Sequence, residues 1–196
     1  MIIESGTGNG KLAQVDSDNR LLTASFNIPF VHLLAKDYQK VFTVEGNTTP
    51  SAGQSTILHM TNTSSTDVVV ITRVIVQAVS LTGGTAIPNS GTSFQLFTET
   101  DYVSGGLSAP VVNTTSGSAV RSNVVAYDSS PTLSGAGNSL GRSYPLNATP
   151  IEVQTEGSIL VLPRQTFCID LNTDHTGGFV YASVGFAVVG AEGYSG

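Results

Sequence analysis

The chain has 196 residues and a net charge of −6, and only 11% of its residues are charged, under half the share in an ordinary soluble domain. Its polar content is small instead, with 23 Ser, 23 Thr and 21 Gly. Eight scattered Lys and Arg argue against a nucleic-acid binder, and the absence of any 18-residue apolar run argues against a membrane-spanning helix.

Val, Ile and Thr supply 55 residues, and their stiff, branched side chains suit pleated strands better than helices. Residues 1–29 form a polar, Gly-rich lead, and Met1–Gly6 lacks the basic and apolar zones of a signal peptide. Gly6-Thr7-Gly8-Asn9-Gly10-Lys11 looks like a phosphate loop. The nucleotide motif needs Gly where Ser5 stands and Ser or Thr where Leu12 stands, and no strand is expected before the run. Lys11–Val15 and Arg20–Ala24 flank Asp16-Ser17-Asp18-Asn19, which reads as a hairpin around an Asx-type turn. A calcium loop starting at Asp16 fails, because its sixth and twelfth positions hold Leu21 and Asn27. After Pro29, the spacing of Phe30, Val31, Leu33, Leu34 and Tyr38 suits a short helix of barely three turns, and an extended segment equally.

Period-two patterns follow. Thr56, Leu58 and Met60 alternate with Ser55, Ile57 and His59. Over Asp67–Ser80, Val68, Val70, Thr72, Val74, Val76 and Ala78 form one face, predicted to be buried. Phe94 and Leu96, then Ile151 and Val153, then Phe167, Ile169 and Leu171 repeat the pattern. The last strand is the clearest, with Val180, Ala182, Val184, Phe186 and Val188 on one face. Turn signals separate these runs, among them Gly105-Gly106, Pro163 and Gly177-Gly178. The pattern predicts an all-β sandwich or barrel over residues 30–196. Residues 101–149 are weak in pattern and are expected to be a long surface excursion, with a short strand around Val124, Val125 and Tyr127.

Chemistry-bearing motifs are sparse. Gly137-Asn138-Ser139-Leu140-Gly141 matches a nucleophile elbow, with Asp170 or Asp174 and then His175 following in hydrolase order. Neither a strand before it nor a helix after it is predicted, so a hydrolase is a minor alternative. Cys168 is the single cysteine and reads as a buried small hydrophobe. His32 and His59 stand alone, no metal-ligand spacing occurs, and no cofactor is expected. Asn47, Asn62, Asn113 and Asn147 begin Asn-x-Ser/Thr triplets, which are common in so Ser- and Thr-rich a chain and are not read as glycosylated.

The lead from Gly8 to Leu22, with Lys11, Asp16, Asp18 and then Asn19-Arg20-Leu21-Leu22, resembles the opening of many tailed-bacteriophage virion proteins. Ser55–Asn62 and Asp67–Ile75 resemble their central strands. Ser158–Pro163 with Thr166–Ile169 is similar to their late hairpin, where this chain has Pro163-Arg164 in place of the usual Pro-Gly. The resemblance covers about half the chain. It implies a jelly-roll-like β-sandwich with an extended N-terminal arm, acting as a non-enzymatic capsid decoration (cement) protein. Such a protein would be a homotrimer bound to the major capsid protein on the outer surface of the virion, made in the cytoplasm of a bacterial host. The arm contacts it implies are Lys11, Asp16, Asp18, Arg20, Leu21 and Leu22. A carbohydrate-binding or host-attachment module using Tyr102, Tyr127 and Tyr144 is the main alternative, and a tail or portal adaptor is another.

Overall fold

The computed structural model describes residues 3–4, 12–13, 39–51, 53–79, 92–146, 149–174 and 176–190. Backbone contacts divide the chain into two units, Met1–Phe30 and Val31–Gly196. In the first, β1 (Ile3–Glu4) pairs antiparallel with β2 (Leu12–Ala13), Ile3 opposite Ala13. A strand therefore does precede the glycine run, which corrects the expectation above. Most of the predicted arm hairpin, including Arg20–Ala24, lies outside the described residues, as does the segment from Phe30 to Tyr38.

Every described element of the second unit is a strand. Four long strands come first: β3 (Val41–Thr48), β4 (Gly53–Asn62), β5 (Asp67–Val79) and β6 (Ser93–Thr98). Five short ones follow: β7 (Asp101–Ser104), β8 (Leu107–Ala109), β9 (Val111–Asn113), β10 (Val124–Asp128) and β11 (Thr132–Ser134). Four more close the chain: β12 (Asn138–Pro145), β13 (Ile151–Val161), β14 (Thr166–Thr173) and β15 (Phe179–Gly190).

They form a five-stranded sheet, β13-β5-β15-β3-β9, a six-stranded sheet, β12-β6-β14-β4-β10-β8, and a two-stranded ribbon, β11-β7. All pairs are antiparallel. Phe42, Val44 and Phe186 from the first sheet share one apolar cluster with Leu58, Phe94 and Phe167 from the second. The fold is thus all-β and sandwich-like. The long strands pair in nested order: β3 with β15, β4 with β14, β5 with β13 and β6 with β12. The first meets the last, and the chain reverses between β6 and β12.

That reversal passes through residues 101–137, and much of it is built into the sheets. β10 extends the six-stranded sheet beyond β4, β8 extends it beyond β10, and β9 extends the five-stranded sheet beyond β3. Strands of three to five residues are too short for alternation to register, so only the Val124–Asp128 strand was legible. Asp128 ties this insertion down. Its carboxylate accepts hydrogen bonds from the Asn47 backbone N–H (3.1 Å) and the Asn47 amide (3.3 Å).

The strict alternation predicted for β5 fails at its midpoint. Ile71 pairs with Phe186 and Arg73 with Gly185, so Thr72 is an extra residue. Its hydroxyl donates to the Gly185 carbonyl at 2.9 Å. This bulge shifts the inward face by one residue. The core side chains are Val69 and Ile71 before it, and Val74, Val76 and Ala78 after it. Val68 and Val70 are buried, but they do not belong to that cluster. On β15 the predicted face, Val180 through Val188, lies wholly in the core.

Pro163-Arg164 forms the turn between β13 and β14, closed by the Gln165 N–H donating to the Leu162 carbonyl at 3.0 Å. Arg164 sits at φ +63°, the third position of a type II turn, where glycine is the easy choice. Asn62 stitches the adjoining turn. Its amide donates to the carbonyls of Asp67 (2.8 Å) and Val161 (3.0 Å), and its side-chain oxygen accepts from the Ser64 N–H. Asn113 likewise bonds the carbonyls of Gln39 and Val120. These sequon asparagines, with Asn47, are engaged in structural hydrogen bonds.

Candidate functional site

The outer face of the six-stranded sheet carries the chemistry. On β14, Cys168 and Asp170 are two residues apart and therefore point to the same side. The register places His59 opposite Cys168, and Thr56 and Gln95 opposite Asp170. These polar groups gather on a face that the short strands partly cover. Tyr102 from β7 and Tyr127 from β10 stack at 3.9 Å with rings 8° from parallel, and His59 lies 6.4 Å from Tyr102.

His59 is fully buried. Its Nε2 donates to the Thr100 carbonyl at 2.7 Å, which leaves Nδ1 as a bare acceptor without a partner. Burial pushes its pKa down, opposed by the bond to Thr100. Cys168 accepts a hydrogen bond from the Thr100 hydroxyl at 3.3 Å. Burial pushes the thiol up to about 12, so it stays protonated and is a poor nucleophile. Cys, His and Asp thus meet on one face without the thiolate that nucleophilic chemistry needs. Among the described residues no group of three or more His, Cys, Asp and Glu is placed to hold a metal.

Asp170 is the centre of the site. It is 8% exposed and lies at the base of a cleft of about 570 Å³. Gln54 Nε2 donates to one carboxylate oxygen at 2.6 Å, and the Thr56 hydroxyl to the other at 2.8 Å. Burial raises its pKa, while the bonds from Thr56 and Gln54 pull it back. The turn after β10 and strand β11 form the opposite wall, with Ser130, Pro131 and Leu133. Ser129 and Ser130 are both left-handed, at φ +58°, which holds the turn against the cleft rim. Ser130 is anchored there by its N–H to the Thr56 carbonyl (3.1 Å) and by a 2.6 Å contact with the Thr48 hydroxyl.

Of the residues singled out from sequence, the structure brings His59, Cys168 and Asp170 together here, with Tyr102 and Tyr127 beside them. Lys11, Asp16, Asp18, Arg20, Leu21 and Leu22 lie outside the described residues. Ser139 lies in β12 and accepts a hydrogen bond from the Gly141 N–H at 3.2 Å. That strand pairs with β6 on both sides of a bulge, so Ser139 is not at a strand-to-helix elbow. Tyr144 stacks on Phe94 at 4.9 Å and packs against the core. Gln54, Thr56 and Gln95 were not singled out, because alternating polar residues on a strand read as an ordinary wet face. The available signal was Asp170, a carboxylate within the apolar run Phe167–Leu171.

A second feature lies on the flank built by the inserted strands. Leu107 (66% exposed), Val112 (53%) and Val125 (41%) are exposed there. A groove of about 580 Å³ runs between β9 and β10, and among the described residues Arg121 is its single charged lining residue. No protein-family model, curated protein or solved structure matches the chain.

Proposed function

We propose that this protein is a non-enzymatic capsid decoration protein of a tailed bacteriophage. It binds the outer shell and stabilises it by linking capsomers. The observation that carries the reading is the flank of β8, β9 and β10, a surface with large apolar side chains in the open and little charge beyond Arg121. Such a patch favours packing against another protein. The occupant is a neighbouring copy of the chain, in a homotrimer. The edge strands β8 and β9 are three residues each, short enough to avoid indiscriminate sheet-to-sheet growth. The nested pairing of the eight long strands supports a jelly-roll order. The resemblance of the Gly8–Leu22 lead supports an arm, residues 1–29, that reaches the major capsid protein through Lys11, Asp16, Asp18, Arg20, Leu21 and Leu22.

Co-sedimentation with undecorated shells tests the reading. The full chain should pellet with them at saturable stoichiometry, and a chain lacking residues 1–24 should pellet far less. Full-strength binding by the truncated chain would remove the arm from the account. No pelleting by the full chain would remove the decoration role.

A further inference from the structure

We propose that the cleft over β4, β14 and β6 binds a neutral saccharide, whose hydroxyls are gripped by Asp170, Gln54 and Gln95. The cleft volume, about 570 Å³, falls within the range of small-ligand sites. Among the described residues its polar lining consists of one carboxyl group, carboxamides and hydroxyls, with no Lys, Arg or His. An anionic ligand would find no counter-charge there. A cation would find one buried carboxyl that already accepts two hydrogen bonds. A carboxylate accepts from the hydroxyls of a sugar ring, and the carboxamides beside it both accept from and donate to them. Phe97, Pro131 and Leu133 give the cleft an apolar wall for the C–H face of such a ring.

Asp170 itself argues for a ligand. A serine or asparagine could satisfy Thr56 and Gln54 without burying an ionisable group. A carboxyl retained at 8% exposure, within a cleft and beside a doubly strained turn, has the character of a binding site. Its bond to Gln54 fixes an exposed amide, whose remaining N–H and carbonyl are left for the sugar. Gln95 stands on the other side, half-buried and paired with Asp170 in register.

An array of neutral and charged glycans, probed with the full chain, tests this. Neutral glycans should be retained. Asp170→Asn, which keeps the side-chain shape, and Gln95→Ala should each weaken retention about tenfold, the loss of roughly one good hydrogen bond. Gln95 is only half-buried, so its variant stays informative if Asp170→Asn folds poorly. Retention of charged glycans alone, of none, or undiminished, wild-type retention by both variants would overturn the proposal. The array contains no capsid, so its outcome is independent of the shell-binding reading.

Discussion

Arg164 occupies a position where the backbone favours glycine, at φ +63° in the β13–β14 turn. A left-handed conformation costs an L-residue about 1–2 kcal/mol, part of which glycine's larger unfolded-state entropy takes back. Arg164→Gly should therefore stabilise the fold by about 0.5–1 kcal/mol, read as a higher urea midpoint at unchanged slope. At Asn62 the direction reverses. Its side chain is almost fully buried and bonds backbone groups on both neighbouring turns. Asn62→Ala should cost about 2–3 kcal/mol in the same assay. The turn at Pro163 was legible in the sequence, because proline announces its own geometry. The work of Asn62 was not, because its partners Val161 and Leu162 are about a hundred residues away.

His59 makes stability depend on pH. Burial lowers its folded pKa below the ordinary 6.5, so below that pH the unfolded chain takes up a proton that the folded chain refuses. Stability from this group is full above 6.5 and is lost as the pH falls. The groups facing it are Tyr102, Tyr127, Cys168 and Asp170, with Asp101 and Asp170 opposing the shift. Asp170 acts in the opposite sense. Its raised pKa penalises the fold at higher pH, and the penalty eases on acidification toward 3.8. Comparing the wild type with His59→Gln, whose amide can still donate to Thr100, isolates the imidazole. From pH 7.5 to 5.5, the wild type should lose stability relative to the variant in urea titrations. A constant difference would contradict the assignment.

At the scale of elements, apolar periodicity located the long strands well. β6, β14 and β15 lie where alternation predicts, with the predicted residues inward. Alternation missed the places where the sheet departs from its own period. The Thr72 bulge faces Thr155–Ser158, which also lack partners in the β13–β5 register. Side-chain type carries no sign of such a slip, since Val68 and Val74 look alike in sequence. Close approach is a second such constraint. A Cβ on Gly46 would lie 2.8 Å from the Asp128 Cβ and 2.9 Å from a Leu58 methyl, where β3 meets the inserted β10. Gly46→Ala should destabilise by about 1–3 kcal/mol and loosen the insertion. Hydrogen exchange would show this as faster exchange in β10 than in β15.

Taken whole, the molecule combines a low-charge sandwich, an apolar flank and a polar cleft on a different part of its surface. The flank was hidden in the sequence because it is assembled from short strands that looked like loop. The cleft was hidden because its residues come from three strands brought together only by register. Leu107→Glu with Val125→Glu should break the proposed trimer without unfolding the chain, since both side chains are exposed. Light scattering should then report the mass of one 20.3 kDa chain for the double variant and of three chains for the wild type. The central claim is that the protein links capsomers, each modest contact adding to the next through multivalency. Calorimetric melting of undecorated shells with increasing amounts of the chain tests it most directly. The account predicts a saturable rise in the shell's disruption temperature. An unchanged temperature at saturating protein would contradict it.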